Sequence, residues 1–195
     1  MKLSYLFLLS FLIFSTNSFS QKDKKDSTKI NLASGLKFRT IGPAFMSGRV
    51  SDFAVNPSNH SEYYVSFAAG HIWKTINNGT TYKPIFDKQN SYSIGCLKLD
   101  PNNPNIIWAG TGENNHQRSV SYGDGVYKSL DGGKSWKNMG LKESRQIGMI
   151  AIDPRDSNII FVAAEGSVWG PSEDRGLYKS KDGGKNWKKI LEISE

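Results

Sequence analysis

The stretch Gly125-Val-Tyr-Lys-Ser-Leu-Asp-Gly-Gly-Lys-Ser-Trp136 decides the fold. It returns as Gly176-Leu-Tyr-Lys-Ser-Lys-Asp-Gly-Gly-Lys-Asn-Trp187, and a weaker copy comes earlier, Gly70-His-Ile-Trp-Lys-Thr-Ile-Asn-Asn-Gly-Thr-Thr-Tyr82. Each copy reads as a strand, a tight turn and the start of a second strand. The strand halves Ile72-Trp-Lys74, Val126-Tyr-Lys128 and Leu177-Tyr-Lys179 carry β-branched and aromatic residues, which fit a pleated, half-buried surface. The Asp-Gly-Gly step is turn chemistry. The carboxylate accepts from backbone N–H groups just ahead of it, and glycine takes positive φ without steric cost. The Trp or Tyr that follows is a large apolar body at a fixed place, suited to packing on a neighbouring unit.

The repeat extends outward from these turns. Each unit opens with a strand that ends in a Pro turn: Asp52-Phe-Ala-Val-Asn-Pro57, Cys96-Leu-Lys-Leu-Asp-Pro101 and Met149-Ile-Ala-Ile-Asp-Pro154. These prolines are 44 and 53 positions apart, the length of four short strands with their turns. A second strand follows in Tyr63-Tyr-Val-Ser-Phe67, Ile106-Ile-Trp-Ala-Gly110 and Ile159-Ile-Phe-Val-Ala163. The fourth begins at the aromatic and takes in Lys83-Pro-Ile-Phe86, Lys137-Asn-Met139 and Lys188-Lys-Ile-Leu191. Pro84 suits an outer, edge strand. The repeats span about 47–86, 93–141 and 146–193.

Residues 1–20 have the form of a secretory signal peptide. Lys2 is the positive n-region, residues 3–14 are apolar, and Ser18-Phe-Ser20 places small residues ahead of a cleavage site before Gln21. Retention as an anchor is the alternative, but the apolar run is short for a membrane span. No cysteine follows the site, so lipidation there is not expected. Residues 21–35 are a polar, flexible lead-in. Leu36-Lys-Phe-Arg-Thr-Ile41 alternates as a strand before Gly42-Pro43 breaks it. The location expected is secreted, periplasmic or cell-surface, with no membrane span after cleavage. The formal charge of +7 is dispersed over strand edges and turns, which favours solvated edges over nucleic-acid binding. Cys96 is the only cysteine, so no internal disulfide forms, and its apolar neighbours place it in a core.

The turn residues carry a resemblance. Ser129-x-Asp131-x-Gly133-x-Ser135-Trp136 is similar to the Asp-box (BNR) repeat of sialidase-like and sortilin-like β-propellers. Ser180-x-Asp182-x-Gly184-x-Asn186-Trp187 departs from it at Asn186. Thr75-x-Asn77-x-Gly79-x-Thr81-Tyr82 keeps the pattern with Asn for Asp and Tyr for Trp. The resemblance covers nearly all of residues 36–193 and is closest to bacterial secreted sortilin-like (VPS10-type) BNR-repeat proteins, often labelled glycosyl hydrolases by fold. It implies an all-β propeller of which about three four-stranded blades are present. Propellers close with roughly four to eight blades. The reading is therefore the N-terminal part of a larger ring, or a truncated copy of one, and assembly of several copies is a distant alternative. In such rings the strand at residues 36–41 would complete the last blade.

The resemblance also sorts the candidate residues. Asp-box turns lie at the edge opposite the usual site, so Asp131 and Asp182 are structural. Loops between the second and third strands line the site face. The first repeat has almost none there, only Ala68-Ala-Gly70. The second has residues 111–124 and the third residues 165–175, with Glu113, His116, Arg118, Tyr122, Glu165, Trp169, Glu173 and Arg175. A Trp stacks on an apolar sugar face and an Arg forks onto a carboxylate, so these residues suit a glycan, peptide or protein ligand. Glycosidases pair two carboxylates across the scissile bond. Glu113 and Glu165 are read as starting equivalent insertions and are the catalytic candidates of a hydrolase reading, with a partner acid elsewhere. Arg49, Arg118, Arg145 and Arg175 match no arginine-triad spacing of sialidases. His60, His71 and His116 are isolated, so no metal site and no cofactor are expected. The leading expectation is a ligand-binding scaffold, with a glycoside hydrolase second and an inactive remnant third.

Overall fold

The computed structural model describes residues 48–115 and 120–192. The expected signal peptide, the lead-in and the strand at residues 36–41 lie outside them. The described chain is all β apart from one 3₁₀ turn, Lys142–Ser144. Twelve strands run in sequence: β1 Val50–Val55, β2 Tyr63–Phe67, β3 Ile72–Thr75, β4 Lys83–Pro84, β5 Ile94–Asp100, β6 Asn103–Thr111, β7 Val126–Ser129, β8 Lys137–Asn138, β9 Ile147–Asp153, β10 Asp156–Ala164, β11 Gly176–Ser180 and β12 Lys188–Glu192. They form three four-stranded sheets in simple sequential order, β1–β4, β5–β8 and β9–β12. All pairings are antiparallel, because each connection is a local turn. The fourth strand is short in the first two sheets, two residues each in β4 and β8. Pro84 lies in β4 on the outer edge of its sheet, where no further ladder needs an N–H.

Period-2 alternation gives each sheet two faces, and the middle sheet buries both. Leu97, Leu99, Ile107, Ala109 and Tyr127 join Ala54, Tyr64, Ile72 and Phe86 of the first sheet. Cys96, Trp108 and Val126 point the other way and join Ile147, Ile150, Ile152, Ile160 and Val162 of the third. Each fully buried aliphatic side chain stabilises the stack by about 1.5–3 kcal/mol. Burial pushes the Cys96 thiol up to about 12, so it is an inert core residue at ordinary pH, as its apolar neighbours suggest.

The three turns share one hydrogen-bond plan. Ser129 Oγ donates to Asp131 Oδ1 at 2.8 Å and accepts from Gly133 N at 2.9 Å, while Asp131 Oδ1 accepts from Ser135 N at 2.9 Å. Ser180, Asp182 and Gly184 repeat these bonds at 2.8, 2.9 and 2.9 Å, with Asn186 N as the last donor. Thr75, Asn77, Gly79 and Thr81 repeat them again at 3.0, 3.0 and 2.9 Å. The departures in sequence are compensated. Asn186 Nδ2 donates to Asp182 Oδ2 at 2.7 Å, as Ser135 Oγ donates to Asp131 Oδ2 at 2.6 Å. In the first turn the bond reverses, and Asn77 Nδ2 donates to Thr81 Oγ1 at 2.9 Å. Gly133 and Gly184 have φ of 86° and 89°, open to glycine without strain.

The tryptophans after the turns tie sheet to sheet. Trp136 Nε1 donates to the Ile85 carbonyl of the first sheet, and Trp187 Nε1 donates to the Met139 carbonyl of the second, both at 2.8 Å. Tyr82 does something different: its hydroxyl pairs with that of Tyr63 in the same sheet at 2.8 Å.

Candidate ligand face

The ends of the second strands and the starts of the first strands meet at the edge opposite the Gly-Gly turns. Ala68 N donates to Arg49 O, Gly112 N to Ser93 O, and Glu165 N to Gln146 O, each at 2.9 Å. These three bonds set the register of the face. They put Glu165 level with Gly112 rather than with Glu113. The expected equivalence of Glu113 and Glu165 is therefore corrected: the insertions correspond, but the acids are offset by one residue. Glu165 follows directly on β10, whereas Glu113 comes one residue later, after Gly112 has turned the chain with φ of 87°.

The two acids have different surroundings as a result. Glu113 turns towards the first sheet and forms an ion pair with Arg49. Its side chain is only 4% exposed, against 47% for that of Arg49. Glu113 N also donates to Ser121 O at 3.0 Å, closing the second insertion on itself. The carboxyl of Glu165 lies beside Gly148, where an added Cβ would come within 2.8 Å of Oε1. Asn114 of the second insertion reaches the same place, with Nδ2 donating to the Gly148 carbonyl at 3.0 Å. Asn114 and Gly148 also stand on the wall of a groove of about 770 Å³ that runs along β1, β5 and β9.

The third insertion is held by Arg175. Its guanidinium donates to the carbonyls of Glu165, Ser167 and Gly170 at 2.8, 2.7 and 3.3 Å. Three carbonyls converging on one planar cation fix a loop that has no ladder of its own. Glu173 is exposed, and its carbonyl accepts from the Lys189 ammonium. Trp169 stands out from the same loop with 62% of its surface exposed. Tyr122 of the second insertion is 48% exposed, and the Arg145 guanidinium carbon lies 4.9 Å from its ring centroid. His116 and Arg118 lie outside the described residues.

Two contributors, Tyr92 and Asn114, are not among the residues singled out from sequence, and Arg145 enters there only as an arginine that matches no triad spacing. Tyr92, in the connection from the first sheet to the second, is 50% exposed, and its hydroxyl pairs with Ser121 Oγ at 3.0 Å. Arg145 braces Tyr122, and Asn114 joins two sheets. Only Tyr92 carried a local signal, an aromatic just outside an inner strand. Among the described residues, no group of three or more His, Cys, Asp or Glu side chains could hold a metal ion. No helix among them is long and apolar enough to cross a membrane.

Comparison with known proteins fits this geometry. A curated protein of Neosartorya fischeri, a probable oligoxyloglucan-reducing end-specific xyloglucanase, is 30% identical over 143 residues. That alignment takes in 68% of this chain but 15% of the relative, so the chain spans about a seventh of the relative's length. The crystal structure of an ancestral GH74 enzyme superposes with a TM-score of 0.57 and 26% identity, over 73% of this chain and 18% of that one. The three sheets are blades of a β-propeller. The GH74 xyloglucanase from Xanthomonas campestris shares the fold, with a TM-score of 0.53 and 20% identity over 77% of this chain and 21% of that one. No protein-family profile matches the chain. In a propeller the blades surround a central channel, and β1, β5 and β9, which run side by side along one groove, are the innermost strands of these three.

Proposed function

We propose that these three blades contribute a glycan-binding face to an extracytoplasmic β-propeller. The carrying observation is the set of exposed aromatics on one face: Tyr92, Tyr122 and Trp169, at 50%, 48% and 62% exposure. Flat aromatic rings presented to water suit the apolar faces of pyranose rings, and neighbouring amide and hydroxyl groups suit sugar hydroxyls. The choice of a glycan over the peptide cargo of a sortilin-like reading rests on the identity to xyloglucanases. The leader read at residues 1–20 supports a place outside the cytoplasm.

The glycoside-hydrolase reading is second. It is favoured by the same relatives and by Glu165, which lies at Gly148 beside the inner groove. It is weakened at Glu113, whose carboxylate is enclosed and held by Arg49 and so turns no open face to a glycosidic oxygen. A whole propeller's activity would draw on blades beyond these three.

Titration with xyloglucan-derived oligosaccharides, followed by tryptophan fluorescence and by release of reducing ends, separates the readings. Binding expects saturable quenching that Trp169→Ala and Tyr122→Ala each weaken, with no new reducing ends. Reducing ends that vanish in Glu165→Gln would establish the hydrolase reading instead. Quenching unchanged in both aromatic variants would remove the aromatic face from the account.

A further inference from the structure

Each blade enters its third strand through a residue with positive φ, and the first blade alone places a side chain there. Phe67 N donates to His71 O at 3.1 Å as Thr111 N donates to Gly125 O at 3.0 Å, and Gly176 pairs with Ala164 at the same point of the third sheet. The φ angles are 60° at His71, 100° at Gly125 and 152° at Gly176. Glycine takes such angles freely, while a histidine takes them at a cost in backbone strain. A Cβ on Gly125 or Gly176 would run into the carbonyl of Gly140 or Leu191, which closes the position to a side chain in those blades. In the first blade His71 N donates to Tyr92 O at 3.0 Å, in the connection to the second sheet, and the imidazole has room.

Packing alone does not call for a histidine at this point. The residue is half-buried, and its Nδ1 is enclosed with no hydrogen-bond partner among the described residues, a cost that neither glycine nor phenylalanine would carry. A hydrogen on Nδ1 would be a buried donor without an acceptor, so the ring carries it on Nε2 and offers that nitrogen as a donor. The imidazole lies edge-to-face with Tyr92, the centroids 6.4 Å apart and the planes at 66°. Tyr92 is half-exposed, and its hydroxyl is pinned to Ser121 Oγ at 3.0 Å. The two rings make a corner on the ligand face, with one flat wall and one polar wall.

We infer that His71 and Tyr92 form a sugar subsite over the first blade, in which the Tyr92 ring stacks on a pyranose and the His71 imidazole donates to one of its hydroxyls. The inference rests on the glycan reading of this face and extends it to the blade whose connecting loop is short. A pyranose lying on Tyr92 carries its hydroxyls around its rim, where an imidazole set at a steep angle to the tyrosine meets them. A histidine in place of the repeat's glycine thus does for the first blade what an insertion does for the other two. The strain and the unpaired nitrogen are retained because the ligand supplies what the fold does not.

The test uses the intact chain and a xyloglucan-derived oligosaccharide, with His71→Gly, His71→Phe and Trp169→Ala beside the parent. His71→Gly restores the repeat's own residue, so its denaturant midpoint should hold or rise while the dissociation constant increases severalfold. His71→Phe keeps a ring against Tyr92 without the nitrogens and should lose binding to a similar degree. In the parent, the imidazole nitrogen resonances of His71, assigned by their loss in His71→Gly, should shift on saturation with the oligosaccharide. Affinity equal to the parent's in both His71 variants, with those resonances unmoved, would overturn the inference, and the glycan reading stands without it if Trp169→Ala still weakens binding. A lower midpoint in His71→Gly with full affinity in His71→Phe would assign the histidine to packing and also overturn it. No binding by the parent would overturn both the subsite and the glycan reading.

Discussion

At one edge of the blades Thr75, Ser129 and Ser180 each begin the same turn, and the same hydrogen bonds recur within a few tenths of an ångström. At the other edge only the register bonds to Arg49, Ser93 and Gln146 recur, and the loops themselves differ. The first blade passes from β2 to β3 through residues 68–71, the second inserts residues 112–125, and the third inserts residues 165–175 around Arg175. Both edges are loops on the same strands, so the difference lies in what each must do. A turn that seats a tryptophan on the preceding blade has one geometry to satisfy, and the sequence repeats because the geometry does. The face loops carry no such obligation beyond the register bonds to Arg49, Ser93 and Gln146, so their length and chemistry are free to serve a ligand.

The largest expected break in this comparison is Trp136→Ala. It removes an indole set edge-on to Phe86, with centroids 5.0 Å apart, and leaves the Ile85 carbonyl without its donor. Denaturant titration should show a loss of about 3 kcal/mol. The same titration on Trp169→Ala should show almost none. Gly184→Ala comes next. Its φ of 89° disfavours a side chain, and the new Cβ would come within 2.5 Å of the Trp108 ring. A loss of about 2 kcal/mol is expected from strain and overpacking together.

Asp131→Asn sharpens the comparison from the other side. The first blade already works with Asn77, so an amide is compatible with the turn. Its Oδ1 can still accept from Ser135 N, but its Nδ2 cannot accept from Ser135 Oγ as Asp131 Oδ2 does, so the hydroxyl must turn to accept from the amide, as that of Thr81 does. The expected cost is about 1 kcal/mol by urea midpoint. Hydrogen bonds from Ser135 hold Asp131 down to about 2, and those from Asn186 do the same for Asp182. A carboxyl with a depressed folded pKa stabilises the fold above its ordinary value near 3.8 and loses that contribution as pH falls towards 2. Thermal midpoints measured from pH 5 down to about 2 should therefore fall less in the Asp131→Asn/Asp182→Asn double variant than in the parent.

The repeat was legible because its signals are local. Turn glycines, the acid before them and the aromatic after them sit within eight residues, and the Pro-terminated strands keep a regular spacing. The prediction that Asp131 and Asp182 brace turns follows from the same short range. The face was legible only as lengths and residue types. The offset between Glu113 and Glu165 depends on a bond between residues far apart in sequence, Glu165 N to Gln146 O, which no local pattern reports. Arg175 illustrates the same limit. Its residue type suggests a carboxylate grip, while three backbone carbonyls of its own loop surround it. The Arg49–Glu113 pair also joins elements of different blades, and neither residue's neighbours in sequence announce the other.

The most direct test is the affinity of the intact chain for a xyloglucan-derived oligosaccharide, measured by calorimetry beside that of Trp169→Ala. The account predicts saturable binding that falls on the order of tenfold or more in the variant, equivalent to about 1.4 kcal/mol, with an unchanged denaturant midpoint. Equal binding by both proteins, or none by either, would contradict it.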